Sequence, residues 1–394
     1  MLAYRKSDFD SLGARAALRE WAEDGVIDAP TAAALLEKIP PPFHTPNLFI
    51  RIGLFIFGSI CAAAAFGLFF VMGVGMRSHQ AFGVMLLVFA AVLTVAVEML
   101  IRKEKPFFRA GLEEAFLYGA LLCLIAGLIV LLEMNSRLRF PIVLFAGCIL
   151  AAAALRYADS FLAALAWASA FYALFDLCSG LGDRAGYILP LLVISLSACA
   201  AYACGGGLAK AALRHWEHVW QVLRFLALLT CYAGGNYFVI RELGHMLFHQ
   251  SVTVDRDIPF APAFYAFTFG LPLAYTAAGL VKKDRLFLHA GLVTAAFAVF
   301  TYKYYHHVLS VEAGLALAGI FLIATAWIGL RLFRTRRFGL TAAASEKGAK
   351  GILDAESLAM LQGFASKDIS AQSSPEGLKG GGGGFGGGGA DGTF

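Results

Sequence analysis

The chain has 394 residues, 59% hydrophobic and only 15% charged, with a mean hydropathy of +0.71. A soluble domain of this size covers its surface with roughly a quarter charged residues, so the composition excludes that class and implies an all-α polytopic integral membrane protein. The net charge of +5 does not speak for nucleic acid, because the basic residues flank apolar runs; the anionic headgroups of a lipid bilayer are the partner that fits.

Residues 1–46 read as a small cytoplasmic module of two helices. The segment lacks the apolar core of a secretory leader, so no cleaved signal peptide is expected and the first apolar run acts as insertion signal. SLGARAALREWAEDG sets Leu12, Ala16, Leu18 and Trp21 among charged residues, which predicts an amphipathic helix ending near Gly25. In VIDAPTAAALLEKI, Asp28 can cap a second helix, Pro30 lies in its first turn, and Leu35, Leu36 and Ile39 give it an apolar side. Two such helices enclose little core. They are expected to pack on each other and on the membrane domain, and to offer a surface to a protein partner. Their likeness to a DNA-binding helix-turn-helix is superficial.

Residues 47–333 follow as the membrane domain. Crossing roughly 30 Å of hydrocarbon takes about twenty largely apolar residues. Runs of this kind lie near 50–73, 81–101, 114–134, 139–156, 161–179, 187–205, 218–239, 262–281, 286–303 and 311–331, which predicts about ten spans, with nine or eleven as alternatives. Only RYADS (Arg156 to Ser160) divides the fourth from the fifth, so that pair reads as a tight hairpin.

Orientation follows from lysine and arginine. With the N-terminus inside, the inward loops hold ten (Arg102, Lys103, Lys105, Arg109, Arg156, Lys210, Arg214, Lys282, Lys283, Arg285) against seven outward (Arg77, Arg137, Arg139, Arg184, Arg241, Arg256, Lys303). Arg5, Lys6, Arg15, Arg19 and Lys38 before the first span, and Arg331, Arg334, Arg336 and Arg337 after the last, sharpen the bias. Both termini are therefore expected on the cytoplasmic side. Trp216, Trp220 and Trp327 fall near inward interfaces, where indole rings are favoured.

Residues 334–378 are polar again, with one possible short helix in DAESLAMLQG capped by Asp354 and stopped by Gly363. The Gly-rich end, 379–394, buries nothing and reads as a disordered tail. It lacks the GxxxxGK[ST] pattern of a phosphate loop. Phe385 and Phe394 are the residues through which it could dock. All seven cysteines (Cys61, Cys123, Cys148, Cys178, Cys199, Cys204, Cys231) sit in or beside apolar runs, which fits small buried hydrophobes rather than disulfides or zinc.

Leu18, Trp21, Gly25, Val26 and Ile27, then the helix capped by Asp28, with Arg51, Gly53 and Gly58 in the first span, resemble the N-terminal module of bacterial membrane proteins grouped as domain of unknown function 2157. TYKYYHHVLS, followed by an apolar span and RLFRTRR, is similar to the ends of those proteins. The resemblance covers roughly the first 75 residues and the last two spans. It implies a multi-spanning fold in a bacterial inner membrane and no particular reaction. GGGGFGGGGADGTF resembles the ending of membrane proteins that carry an extracytoplasmic TPM domain, but no outward loop here is long enough to hold that domain.

Polar groups in the spans are the candidate functional residues, since a charge in hydrocarbon must be paired, hydrated or snorkelled to the interface. Glu98 and Arg224 share a depth and are expected either to pair or to snorkel. Asp176, near the outward end of the fifth span, is too short to snorkel; Ser179 and water could satisfy it, or it could line a hydrated pocket that binds a cation or proton. Asn236, beside Gly234 and Gly235, can hydrogen-bond between helices or contact a solute. Glu242, His245 and His249 share a helical face at spacings that could hold a divalent metal, though not as HExxH, and otherwise read as packing or loop; His306 and His307 would join them only if the loops meet. No nucleophile–base arrangement, GxSxG or CxxC is present, so no catalytic residues and no cofactor are assigned. The expected role is a scaffold, sensor or assembly component; the alternatives are a small-solute transporter or channel, and an enzyme acting on lipid-linked substrate. Fusing a periplasm-active reporter to either terminus should give no signal, and activity at either end would remove the even-span arrangement.

Overall fold

In the computed structural model the described residues are 2–23, 26–39, 41–44, 46–72, 78–103, 106–132, 139–182, 185–208, 215–248, 260–282, 284–306 and the single positions 320, 323, 327 and 331. The chain divides into Met1–Ala344 and Ser345–Phe394; the second unit, with the short helix and glycine tail expected there, lies outside the described residues. So do Gly25 and nearly all of the apolar run 311–331.

Twelve helices make up the described part of the first unit. They are α1 (Lys6–Glu23), α2 (Ala29–Lys38), α3 (Leu48–Met72), α4 (His79–Ile101), α5 (Leu112–Leu131), α6 (Arg139–Tyr157), α7 (Ser160–Ser179), α8 (Ala185–Leu208), α9 (Glu217–Gly235), α10 (Tyr237–Phe248), α11 (Ala261–Lys282) and α12 (Arg285–His306). Among the described residues the only β pairing is an isolated bridge between His44 and Phe107. Eight helices, α3 to α8 with α11 and α12, are each long and apolar enough to cross a membrane. The bent pair α9–α10, broken at 68°, adds a ninth crossing if it counts as one. The protein is thus an all-α polytopic membrane protein with eight or nine such spans among the described residues. Eight of the ten runs read from the sequence coincide with the eight helices, and the run 218–239 covers α9 and the start of α10.

Sequence neighbours pack as hairpins: α4 with α5, α6 with α7, α8 with α9, and α11 with α12. The turn between α6 and α7 is as tight as RYADS implied. Ala158 adopts φ 53°, and Asp159 caps α7 by accepting from the Leu162 amide at 2.9 Å. Helix α3 lies on α5, and α9 touches α7, α8, α10, α11 and α12. Large apolar side chains on α3, including Phe49, Ile56, Phe57, Ile60 and Leu68, are exposed. Such a face would be a liability in water and is matched by lipid.

The N-terminal module folds as two helices pinned by Arg15, whose Nη1 donates to the carbonyls of Leu36, at 2.8 Å, and Ile39. Asp28 caps α2 by accepting from the Thr31 amide, and that hydrogen bonding lowers its carboxyl pKa. The packed faces follow the expectation only in part: Leu18 is buried as expected, but Leu12, Trp21 and Leu35 are exposed, and the buried residue of α2 is Ala32. The buried contact lies instead between the module and the bundle. Tyr4, Phe9, Phe43 and Phe108 form an aromatic cluster with edge-on contacts at 5.2–5.9 Å, an arrangement favoured by ring quadrupoles. Around it, the Ala3 amide donates to the Arg156 carbonyl at 2.8 Å and the His44 amide to the Pro106 carbonyl at 3.0 Å. Val97, Ile101, Leu117, Leu121, Leu150, Tyr157, Leu162 and Val219 belong to the same buried cluster as Tyr4 and Phe43, so the module and five helices share one core.

That core depends on how α5 begins. Gly111 has φ 96°, and a Cβ there would collide with the Arg51 carbonyl and the Phe55 amide of α3. Only glycine meets both the backbone angle and the approach. Gly111→Ala should destabilise the detergent-solubilised protein by more than about 2 kcal/mol, read as a lower thermal midpoint; an unchanged midpoint would show that α3 and α5 can separate freely at this point.

Candidate functional site

Below Gly111 the chain LEEAFLYG enters α5 with two carboxylates in its first turn. They have different fates. Glu114 takes a bidentate pair from Arg51 of α3, Nη2 to Oε1 at 2.6 Å and Nε to Oε2 at 3.3 Å, the strong planar geometry that guanidinium allows. Glu113 turns inward and is only 3% exposed. Its Oε1 accepts from the Ala110 amide at 2.6 Å, while its Oε2 has no hydrogen-bond partner. A half-satisfied buried carboxyl is costly and calls for an explanation.

The space beside it is a cavity of about 220 Å³ between the starts of α3, α5 and α7 and the N-terminal segment, lined by Tyr4, Arg51, Arg109, Glu113, Tyr118 and Ser160, among others. Asp159 also borders it, fixed by the Tyr118 hydroxyl, which donates to its Oδ2 at 2.9 Å. The Ser160 hydroxyl is buried and, like Glu113 Oε2, without a partner. Tyr4 closes one wall, its hydroxyl donating to the Phe107 carbonyl at 3.2 Å. Burial, with Glu113 and Glu114 nearby, pushes its phenol pKa far above the ordinary value, so it stays a neutral donor. Two of the three non-glycine described residues with positive φ, Arg109 and Ala158, line this cavity. Left-handed backbone at such residues costs energy and tends to concentrate at sites that use it.

The residues singled out from sequence lie elsewhere. Glu98 and Arg224 do not pair with each other. Glu98 Oε1 accepts from Arg156 Nη2 at 2.6 Å and the Tyr157 hydroxyl at 3.0 Å, because the end of α6 lies closer to it than α9 does. Arg224 instead binds Asp284 in the turn before α12 at 2.8 Å and lies over the Phe287 ring at 5.0 Å. Asp176 meets Arg139 at the start of α6 at 3.6 Å, while Ser179 donates to the Asp176 backbone carbonyl and not to its carboxylate. The partner of Asp176 is thus an arginine, which neither the serine-and-water nor the hydrated-pocket reading named. Glu242 accepts from the Tyr305 hydroxyl at 2.9 Å; the side chain of His245 and all of His249 and His307 lie outside the described residues. Among the described residues no three His, Cys, Asp or Glu side chains are grouped to hold a metal.

Asn236 sits at the break between α9 and α10 and is fully buried. Its Nδ2 donates to the Tyr232 hydroxyl at 2.8 Å and to Thr301 Oγ1 at 3.1 Å. Its Oδ1 accepts from the Val239 amide at 3.1 Å, capping α10. The bend is thus held by one residue that bridges α9, α10 and α12.

Sequence reading passed over Glu113, Tyr118, Asp159 and Ser160, and met Arg51 only through the resemblance. The signal was present: two adjacent carboxylates at the head of an apolar run. Starting the third span at residue 114 left Glu113 among loop residues. No family model, curated protein or solved structure matches this chain.

Asn236→Ala should lower stability by about 2–4 kcal/mol, since it removes a partner from each of the Tyr232 hydroxyl, the Thr301 hydroxyl and the Val239 amide. Asp176→Asn, which removes a partly exposed ion pair, should change it by less than about 1 kcal/mol. Thermal unfolding of the two purified variants checks this ordering, which a larger loss for Asp176→Asn would reverse.

Proposed function

We propose that the protein is a scaffold or sensor of the bacterial inner membrane, with both termini cytoplasmic and the N-terminal module as its contact element. One observation carries this reading: the module is seated in the bundle's own core, through Tyr4 and Phe43, beside a polar cavity that it helps to close. A change in the cavity can therefore reach the module directly. Leu12, Trp21 and Leu35, exposed on the module, are the residues a protein partner would meet. The arginine and lysine distribution and the likeness of the N-terminal pattern to the domain of unknown function 2157 group support the inner-membrane address.

A second reading, a transporter for a small solute, is favoured by the broken helix pair α9–α10, because discontinuous helices line many transport sites. Sidedness separates the two. In a variant lacking the native cysteines, Arg109→Cys, at a half-buried loop position that lines the cavity, should react with a membrane-impermeant maleimide from the side bearing the N-terminus and not from the other. Labelling from the opposite side under any condition would reveal alternating access and replace the scaffold reading with the transporter.

A further inference from the structure

We infer that the cavity at the start of α5 is a binding site for a primary ammonium group, anchored by Glu113 Oε2 and Ser160 Oγ. This extends the sensor reading by naming what the cavity detects, and it rests on that reading only for the consequence of binding.

The polar groups around the cavity can be accounted for one by one. Glu114 is occupied by Arg51. Asp159 accepts from the Leu162 amide and the Tyr118 hydroxyl, and Tyr4 donates to Phe107. What remains is one carboxylate oxygen, Glu113 Oε2, and one hydroxyl, Ser160 Oγ, both buried and without partners. An open carboxylate oxygen accepts and a hydroxyl can accept, so the missing partner is an N–H or O–H donor. With Glu113 ionised, the lining carboxylates Glu113, Glu114 and Asp159 outnumber the lining cations Arg51 and Arg109 by one, so a donor that carries one positive charge balances the site and favours that ionised form. A divalent metal needs several convergent ligands, and Glu114 and Asp159 are already committed. A quaternary ammonium has the charge but no N–H. A primary ammonium has both.

Size and surroundings narrow the ligand further. About 220 Å³ equals the share of roughly seven liquid waters, enough for a small amine. Arg109 also lines the cavity, with its guanidinium over the Phe108 ring at 5.6 Å and no carboxylate partner among the described residues. A ligand that joins an ammonium to a phosphate by a short spacer would meet Glu113 with one end and Arg109 with the other. Free ethanolamine-type amines and the headgroup of an ethanolamine phospholipid share this chemistry.

The test uses the full chain purified in detergent. Ethanolamine binding is measured by equilibrium dialysis with choline as the control, and lipid binding by native mass spectrometry with phosphatidylethanolamine against phosphatidylcholine. Saturable binding of ethanolamine over choline identifies a free amine; selective retention of phosphatidylethanolamine alone identifies the lipid. In either case Glu113→Gln should weaken binding by roughly tenfold or more. The glutamine can still accept from Ala110, but it places an N–H donor where Oε2 was. Ser160→Ala should weaken binding about three- to tenfold and decides the matter if Glu113→Gln is not recovered folded. Absence of selective binding in both arms, or binding that neither substitution weakens, overturns the proposal. Hydrogen exchange at Ala3 and His44, measured with and without ligand, reports separately on the module: binding without altered exchange keeps the ammonium site and removes the sensor reading.

Discussion

Much of this protein depends on the contact between the first turn of α5 and the backbone of α3. Because Gly111 has no side chain, the two helices meet at van der Waals distance where α5 starts. That approach brings Arg51 within reach of Glu114 and leaves Glu113 facing inward. It also fixes the segment 106–110, whose carbonyls at Pro106 and Phe107 receive His44 and Tyr4. The cavity and the seat of the N-terminal module are therefore consequences of one backbone approach. A pair such as Arg51 and Glu114, partly exposed, adds little net stability by itself; its effect is to hold the orientation that the glycine allows.

The spans were legible because hydropathy over twenty residues is set by the thickness of the hydrocarbon, which does not depend on tertiary partners. The capped start of α2 and the tight turn at RYADS were legible for a similar reason: an Asp at an N-cap acts on its own next turn. The packed faces of α1 and α2 were less so. Leu12, Trp21 and Leu35 form a plausible apolar stripe, yet the module is held through Phe9 in the first turn of α1 and through Tyr4 and Phe43, which flank the helices. A two-helix unit has two candidate surfaces, and periodicity alone does not say which one meets the bundle.

Pairing across helices was the least legible. Glu98 and Arg224 matched in depth, but depth is one coordinate of three, and azimuth around the bundle gave Glu98 to Arg156 and Arg224 to Asp284. Asp176 shows the same effect, since Arg139 precedes it by more than thirty residues in sequence and meets it only because α6 and α7 form a hairpin. The cavity was missed for a different reason. Glu113 and Ser160 lie at the ends of helices, where a polar residue ordinarily needs no explanation, and only the fold shows that these ends are covered.

Asn236 and Glu113 illustrate how a buried polar group can be read. Both are deeply buried, and both act on a helix terminus, Asn236 on α10 and Glu113 through Ala110 before α5. In Asn236 the amide's two N–H groups find Tyr232 and Thr301, and its oxygen finds Val239; every strong interaction it can make is made inside the protein, so its burial is accounted for by the bend it holds. In Glu113 one oxygen does the same structural work, while the other is buried without a partner in a residue that lines a cavity, as is the hydroxyl of Ser160. A buried acceptor without a donor costs free energy that folding alone does not recover. An alanine or leucine at this position would have filled the space without that cost, though it would forgo the cap on Ala110. The difference between the two residues is not their depth or their polarity but the valence each has left, and that is why the ammonium site is placed at Glu113 and not at the bend.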